Sequence, residues 1–267
     1  MGRSPDRLVT GSLLTAELAV LLLTEERSPL RRPRESRPTR FFRNGVLGGI
    51  AVAATGLLEA PLAMRVAATA ERRGWGLLPR LGLPRAVRTV GALALLDYAM
   101  YMWHAAMHRV PALWRLHLVH HVDRDLDVTT ALRIHAAEIA LSALVRVAQI
   151  VALGVTPREF VLWQRLFAFS VLFHHANLQL PATVERVLGA VIVTPRRHGI
   201  HHLARHDAQH GNWSSGLVLW DWLHRTLREG DPTGDVGVPT YRNEADVTLG
   251  RVLTLPFVAQ SDPWRSR

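Results

Sequence analysis

Cysteine and lysine are both absent from the 267 residues of this chain. The lack of cysteine excludes disulfides, zinc ribbons, thiol catalysis and an iron–sulfur cluster held by the chain itself. The HExxH motif of zinc proteases and the paired Glu-x-x-His motifs of soluble di-iron bundles are also missing. Neither a Gly-x-Gly-x-x-Gly fingerprint nor a P-loop occurs, so we expect no bound dinucleotide or nucleoside triphosphate.

Positive charge is carried by arginine alone, and 32 basic against 22 acidic residues give a formal net charge of +10. A basic chain can bind nucleic acid, but here the arginines lie in loops between apolar segments. Anionic lipid headgroups or an acidic electron-donor protein fit this distribution better. We therefore expect a membrane partner and no nucleic acid.

Long apolar segments alternate with the arginine-rich loops, and each is near the length that a bilayer demands, but none is free of charge. The segments are 8–24, 46–70, 86–103, 136–155 and the shorter 160–173. One interpretation is a soluble helical protein with buried helices. The other is an all-α integral membrane bundle of about four spanning helices with a cytosolic helical cap. In a membrane bundle, charged residues inside the spans should face the interior or a cavity.

Eight of the 14 histidines form three clusters, which are the most informative feature of the sequence. The clusters are His104 and His108, then His117, His120 and His121, and finally His198, His201 and His202. Residues three and four apart share a helical face, so each cluster presents its rings in one direction. Imidazole suits iron, copper, nickel and zinc. Because eight ligands exceed what one ion needs, the pattern indicates two metal ions side by side.

The order HxxxH, HxxHH and distal HxxHH resembles the fatty acid hydroxylase/sterol desaturase superfamily of membrane di-iron enzymes. The flanking residues extend the resemblance over about residues 90–227. They include Asp97-Tyr98, Trp114-Arg115-Leu116, Thr130, Arg133, Thr194-Pro195, Gly211-Asn212-Trp213 and Trp220-Asp221. The chain departs from the family pattern at Trp213-Ser214, where Tyr-Gly is usual, and at His174, where the family often has Gln.

The resemblance implies two iron ions held by the eight histidines, O₂ as co-substrate, and a ninth ligand at His175, with His174 as the competing choice. It also implies a contribution of Asn177 through a water molecule or from behind the ligands. For His135 it implies either a structural role or a place behind the ligands, where it could pair with Glu138.

Two aspartates could orient ligand rings. Asp97 lies two helical turns before His104, where it could hydrogen-bond the ring, although a simple helix-end acid is the equal alternative. Asp207 could orient a ring near the third cluster. We expect His206, His210 and His224 to lie at the surface or behind the ligands, and not to bind metal themselves.

Topology follows from the seven arginines in residues 25–43, which place this loop on the cytoplasmic side. The second segment then runs outward, the third returns, and segments four and five form an out-and-back hairpin. All three clusters thus meet at the cytoplasmic face. Arginines between segments two and three weaken this asymmetry, so a re-entrant second segment stays open. Arg3 and Arg7 precede the first segment, but no small-residue cleavage site follows, and we expect a retained span.

The sequence thus predicts N-terminal spans with an arginine-rich loop (1–89), a catalytic domain (90–227) and a loop-rich tail (228–267). The expected activity is O₂-dependent hydroxylation or desaturation at a C–H bond of a sterol, fatty acyl, carotenoid or related lipid. Electrons would come from an external donor, a ferredoxin or a cytochrome b5-like protein with its reductase. A histidine-rich membrane metal transporter or sensor is the alternative, and an isomerising or cleaving lipid activity is a third possibility.

Overall fold

The computed structural model describes residues 5–262 and residue 264. Within these residues the chain is helical, and strand-like pairing is limited to isolated bridges such as that between Pro29 and Leu178. The expected all-α class is therefore confirmed. The α-helices are α1 Pro5–Arg27, α2 Arg37–Ala54, α3 Ala60–Arg73, α4 Arg85–Arg109, α5 Pro111–His121, α6 Ala136–Leu153, α7 Pro157–His175, α8 Ala182–Gly189, α9 Pro195–His201, α10 His206–Gln209, α11 Leu219–Leu223 and α12 Leu249–Thr254. Short 3₁₀ turns cover Leu78–Leu81, Val128–Leu132, Glu244–Val247 and Leu255–Phe257.

A π-helical turn, Thr55–Glu59, joins α2 to α3 without reversing the chain, because the residues on both sides keep right-handed helical angles. The combined helix runs antiparallel to α6: Ala54 packs near Ile139, and Leu77 donates its backbone N–H to Ala152 at 2.9 Å. The second apolar segment is thus a continuous rod. It does not fold back as a re-entrant hairpin would.

Two helical stretches are long and apolar enough to cross a membrane, Arg37–Leu81 and Ala136–Leu153. Beside them, α1, α4 and α7 complete a bundle of long helices. Helices α1, α4 and α7 end at the same end of the bundle at which α2 and α6 begin, and we call this the histidine end. At the opposite end Arg88 contacts both the Gly154 carbonyl and Glu159, which ties α4 to the turn between α6 and α7.

Two of the charges inside the apolar helices pair with each other across the bundle. The Glu59 carboxylate lies 3.7 Å from the Arg146 guanidinium, and both side chains are buried between the π-helical turn and α6. Arg146 also covers the ring of Trp163 on α7 at 4.4 Å. These charges face the interior, as expected for helices in an apolar solvent.

The prolines of the arginine-rich loop do separate two helices. Helix α1 ends at Arg27, α2 begins at Arg37 with Pro38 in its first turn, and the residues between them form no α-helix. The loop runs across the histidine end, where Leu30 donates its backbone N–H to the carbonyl of Asn177 at 3.1 Å.

The C-terminal tail is more ordered than a set of loops. It contains α12 and two 3₁₀ turns, and Val247, Val252 and Leu255 pack against the buried face of α5. Arg115 on α5 donates hydrogen bonds to the carbonyls of Pro256 and Val258. The tail therefore packs against α5, the helix that carries the second histidine cluster, and holds it in place.

Candidate metal centre

Nine histidines meet at the histidine end and form two adjacent four-ring clusters. Cluster A consists of His104, His108, His121 and His201, and cluster B consists of His120, His175, His198 and His202. Within each cluster the candidate ligand nitrogens all lie within 4.8 Å of one another. His117 lies between the clusters and groups with His120 and His121. The structure thus brings together the eight histidines of the sequence pattern and the ninth at position 175.

Helix geometry explains how the pattern splits into two clusters. His120 and His121 are adjacent on α5, so their rings point about 100° apart around the helix, one towards each cluster. The expectation that an HxxHH segment presents all its rings in one direction is therefore wrong. His201 and His202 divide in the same way at the end of α9. Helix α4 supplies cluster A with a pair four residues apart, and α7 supplies cluster B with His175. Each cluster therefore draws on three separate helices.

The ring nitrogens of cluster B converge closely. His175 Nε2 lies 3.1 Å from His120 Nε2 and 3.0 Å from His198 Nε2. His198 Nε2 lies 3.0 Å from His202 Nε2. Two imidazole nitrogens about 2.1 Å from one ion and at right angles to each other are about 3 Å apart. The spacing therefore fits a shared ion.

Four rings are oriented through the nitrogen that does not face the clusters. Three of them contact a backbone carbonyl through Nδ1 at 2.8 Å: His104 contacts Trp213, His175 contacts Val171, and His201 contacts Gly211. The fourth, His117, contacts Glu138 Oε1 through Nδ1 at 3.3 Å. Because a carbonyl or carboxylate oxygen only accepts, each Nδ1 carries the proton of the neutral ring. Nε2 is then left unprotonated, which is the form that binds a metal.

Several other ring nitrogens are buried without a hydrogen-bond partner among the described residues. Both nitrogens of His108 and of His121 are in this state, as are Nε2 of His117 and Nε2 of His201. Buried polar atoms without partners are costly, so their concentration here indicates a ligand for them. The all-imidazole donor set fits transition metals such as iron.

The clusters are electrically neutral before any metal binds. Burial lowers the pKa of His120, His121, His198 and His202 well below the ordinary value, and the neighbouring imidazoles lower it further. Neutral rings are the ligand form of histidine. No ligand therefore has to lose a proton near neutral pH.

His174 lies beside cluster B and belongs to neither cluster. Its ring packs on that of His198 with centroids 4.1 Å apart, and it makes a hydrogen bond with the backbone of Ser215. Of the two candidates for the ninth ligand, the geometry favours His175.

Asp97 does not reach a ligand ring, so the prediction that it orients His104 is wrong. Its Oδ2 accepts from the Leu217 backbone N–H at 2.9 Å and from Trp220 Nε1 at 2.7 Å. The Trp213 carbonyl instead orients His104. Seven residues of helix place Asp97 about 10 Å along α4 from His104, which is too far for direct contact.

Asp207 is also wrongly predicted to orient a ring. Its side chain is 67% exposed and pairs with Arg205 at 2.7 Å. His206 and His210 stack on each other outside the clusters, and His224 lies beside Tyr98 and Tyr101. None of these three histidines belongs to cluster A or cluster B.

His135 and Glu138 do not pair. His135 caps α6, because its Nδ1 accepts from the Ala137 backbone N–H at 3.1 Å and its Nε2 contacts the Leu253 carbonyl at 3.1 Å. Glu138 instead faces His117. The prediction that the two residues form a pair is therefore wrong, whereas a supporting position for Glu138 behind a histidine agrees with the structure.

Asn177 contacts the backbone of the arginine-rich loop and not a histidine. Its Oδ1 accepts from the Arg31 N–H at 2.8 Å, and its Nδ2 donates to the Arg31 carbonyl at 2.8 Å. Its own backbone N–H donates to Glu25 Oε1 at 2.6 Å. Within the described residues these contacts hold the loop beside the end of α7, and none of them joins Asn177 directly to a clustered histidine.

The sequence pattern did not predict a buried network of carboxylates and arginines that lies just after the second histidine cluster. Asp123, two residues beyond His121, pairs with Arg40 at 2.9 Å and with Arg43 at 3.0 Å. It also lies 3.9 Å from Arg133. Burial alone would raise the pKa of Asp123, but Arg40 and Arg133 outweigh it and hold the pKa well below its usual range. The sequence favoured lipid headgroups or an acidic electron-donor protein as partners of the arginines, whereas Arg40 and Arg43 join α2 to the segment that follows the second histidine cluster.

Sequence comparison places these features in a known family. The profile of the fatty acid hydroxylase family matches residues 89–226, which include all nine clustered histidines. No solved structure matches the chain.

Curated relatives are distant and longer than the aligned region. An ornithine lipid hydroxylase of Rhizobium tropici is 26% identical over 178 residues, covering 66% of this chain and 50% of the relative. Alkylglycerol monooxygenase of Caenorhabditis elegans is 27% identical over 139 residues, covering 51% of this chain and 26% of the relative. The human alkylglycerol monooxygenase is 25% identical over 134 residues, covering 49% and 28%. The chain thus aligns with half or less of each of these relatives.

Proposed function

Because the chain belongs to the fatty acid hydroxylase family, we propose that it is a membrane-embedded, O₂-dependent di-iron lipid hydroxylase. The observation that carries this proposal is the pair of buried four-histidine clusters side by side at one end of an apolar bundle. A pair of ions explains why nine imidazoles gather at one place, since one ion needs fewer ligands.

Clusters A and B would each hold one iron, with His117 between them. When bound, the irons would supply the activation of O₂ that attack on an unreactive C–H bond requires. In the overall reaction, one oxygen atom of O₂ enters the C–H bond and the other becomes water. Two electrons and two protons complete the balance. They would come from an external ferredoxin or a cytochrome b5-like protein with its reductase.

The protein's part is to hold the rings and to exclude water. The carbonyls of Trp213, Val171 and Gly211 fix three rings with Nε2 aimed inward, and Glu138 does the same for His117. Such outer contacts set both ring orientation and basicity. The clustered rings are all buried, which keeps bulk water away from the site where oxygen is consumed.

We propose hydroxylation and not desaturation as the reaction, because the named relatives are a hydroxylase and monooxygenases. Their names refer to an ornithine lipid and to alkylglycerols, so we propose a lipid with a long hydrocarbon chain as substrate. A sterol or carotenoid is the less favoured class. We further propose that the chain crosses the membrane several times and that the histidine end lies on the cytoplasmic side, as the arginine-rich loop there predicts.

The test is metal analysis of the protein purified in detergent, combined with lipid analysis. We expect about two irons per chain, and an oxygenated lipid that appears only with O₂ and an electron donor. Full activity with zinc alone would overturn the di-iron proposal. The alternative of a metal transporter predicts ligands spread along a path through the bilayer and metal uptake by vesicles without any lipid product.

A further inference from the structure

An apolar cavity of about 510 Å³ lies between α1, α4 and α7. Its wall is almost entirely hydrocarbon and aromatic, and its size falls in the range of ligand sites. Its long walls are formed by Val90, Leu93 and Ala94 on α4 and by Trp163, Leu166 and Phe169 on α7.

One end of this cavity adjoins the histidine clusters. Phe173 lines the cavity two residues before His175 on α7. Ser170 lines it as well, and its hydroxyl donates to the Ser215 carbonyl at 2.5 Å. Segment 213–217 carries the Trp213 carbonyl that orients His104 and also the Gly216 and Leu217 wall. A short stretch of chain therefore separates the cavity from the metal centre.

Asp97 holds this inner wall in place. Its hydrogen bonds to Leu217 and Trp220 join segment 213–217 to α4. A Cβ atom at position 216 would lie 2.3 Å from Asp97 Oδ1, so the close approach requires glycine there. Asp97 is thus a positioning residue for the cavity wall.

The cavity opens sideways between α4 and α7, where Val90 is 66% exposed and Leu166 is 51% exposed. Away from the histidine end, Trp163 lines it, 3% exposed and covered by Arg146. From Asp97 to Val90, α4 spans about 10 Å. The space is therefore an apolar slot that opens at the bundle surface, and segment 213–217 separates its inner end from the histidine clusters.

We propose that this cavity binds the hydrocarbon chain of the substrate lipid, on the far side of segment 213–217 from the histidine clusters. The inference rests on the proposed hydroxylase function and adds where the chain lies. A chain in this slot gains apolar burial along its length, and the Trp163 end limits how much of it fits. A lipid in the bilayer can enter sideways without passing through water.

Photo-crosslinking tests the site without relying on turnover. The iron-loaded protein in vesicles is incubated with an alkylglycerol carrying a diazirine within its alkyl chain, irradiated, digested and mapped by mass spectrometry. We expect labels on Leu93, Ala94, Leu166 or Phe169. Labels confined to outward-facing residues such as Leu57, which is 77% exposed, would overturn the proposal.

A matched pair of variants sharpens the test. Ala94→Trp fills the cavity and should reduce labelling of α7 about tenfold, because the volume for several buried methylene groups is lost. Leu144→Trp, at a site on α6 that is 63% exposed, should leave labelling unchanged. Both variants should keep their iron, which shows that they fold. Equal labelling of the two iron-loaded variants would overturn the chain site.

The two proposals can fail separately. A wild-type protein that binds iron but oxygenates no lipid under O₂ and reductant contradicts the hydroxylase function. A wild-type protein that oxygenates lipid while its labels lie outside the cavity contradicts the chain site alone.

Discussion

His175 Nε2 on α7 lies 3.1 Å from His120 Nε2 on α5, although 55 residues separate the two in sequence. His174, its immediate neighbour, points instead to the backbone of Ser215 and the flank of His198. Two adjacent imidazoles on one helix thus have different environments.

Exchanging each of these histidines for glutamine separates their roles. His175→Gln should lose one iron and at least about tenfold in product formation, because a ligand of cluster B is removed. His174→Gln should keep both irons, because this ring is not in either cluster. Iron content and product yield are measured on the same preparations. The reverse pattern would assign the ninth ligand to position 174.

Glu138 is expected to tune His117 through the hydrogen bond from Nδ1. Glu138→Ala should weaken metal binding or activity by about 10–100-fold, the usual cost of losing a partner behind a metal ligand. Glu138→Gln keeps an oxygen acceptor and should recover part of this loss. Metal affinity can be followed by chelator competition. If both variants behave like wild type, the contact has no role in the site.

Asp123 should matter more for stability than for chemistry. Asp123→Ala leaves the guanidinium groups of Arg40, Arg43 and Arg133 buried without their shared carboxylate. Breaking a buried ion pair on one side costs about 3–5 kcal/mol. Thermal unfolding in detergent measures the loss, and Asp207→Ala is the matched control because its exposed pair is worth about 0–1 kcal/mol. Equal stability of the two variants would contradict the anchoring role of Asp123.

Removing the metal should make the protein sensitive to acid. In the fold, the pKa of His120, His121, His198 and His202 lies below the unfolded value of about 6.5, chiefly because of burial. Between the two values the unfolded chain binds more protons. Stability is therefore present above about pH 6.5 and is lost as the pH falls below it.

Chelator-treated protein should consequently unfold at a lower temperature at about pH 5.5 than at about pH 7.5. Iron-loaded protein should be more stable than the treated protein at the higher pH, because the metal binds the folded state. A metal-free protein whose unfolding temperature rises on acidification would contradict the neutral, buried state of these rings.

The membrane topology can be determined by introducing one cysteine at a time and labelling it, because the natural sequence contains no cysteine that would react as well. Ser36→Cys lies in the arginine-rich loop, and Leu83→Cys lies at the opposite end of the bundle, just before α4. With a membrane-impermeant maleimide on intact cells, we expect labelling of Leu83→Cys and protection of Ser36→Cys until the cells are opened. The reverse result would place the histidine end outside. Labelling of both or of neither in intact cells would contradict a crossing by α2 and α3.

The sequence by itself determined the helical class and which histidines could come together. Histidine spacing within one helix is a local property, because positions three and four apart share a face wherever the helix lies. For that reason His104 with His108 and the two HxxHH segments could be read directly. The resemblance to a family added His175, which stands without a local partner pattern.

Tertiary structure decided how these residues are divided and what surrounds them. The assignment of His120 to cluster B and of its neighbour His121 to cluster A depends on the directions from which α4, α7 and α9 approach α5. The predicted role of Asp97 was wrong because its partners, Leu217 and Trp220, lie in a distant segment of the chain. Arg40 and Asp123, 83 residues apart, meet for the same reason. Local spacing fixes the direction of a side chain, but only packing fixes what it meets.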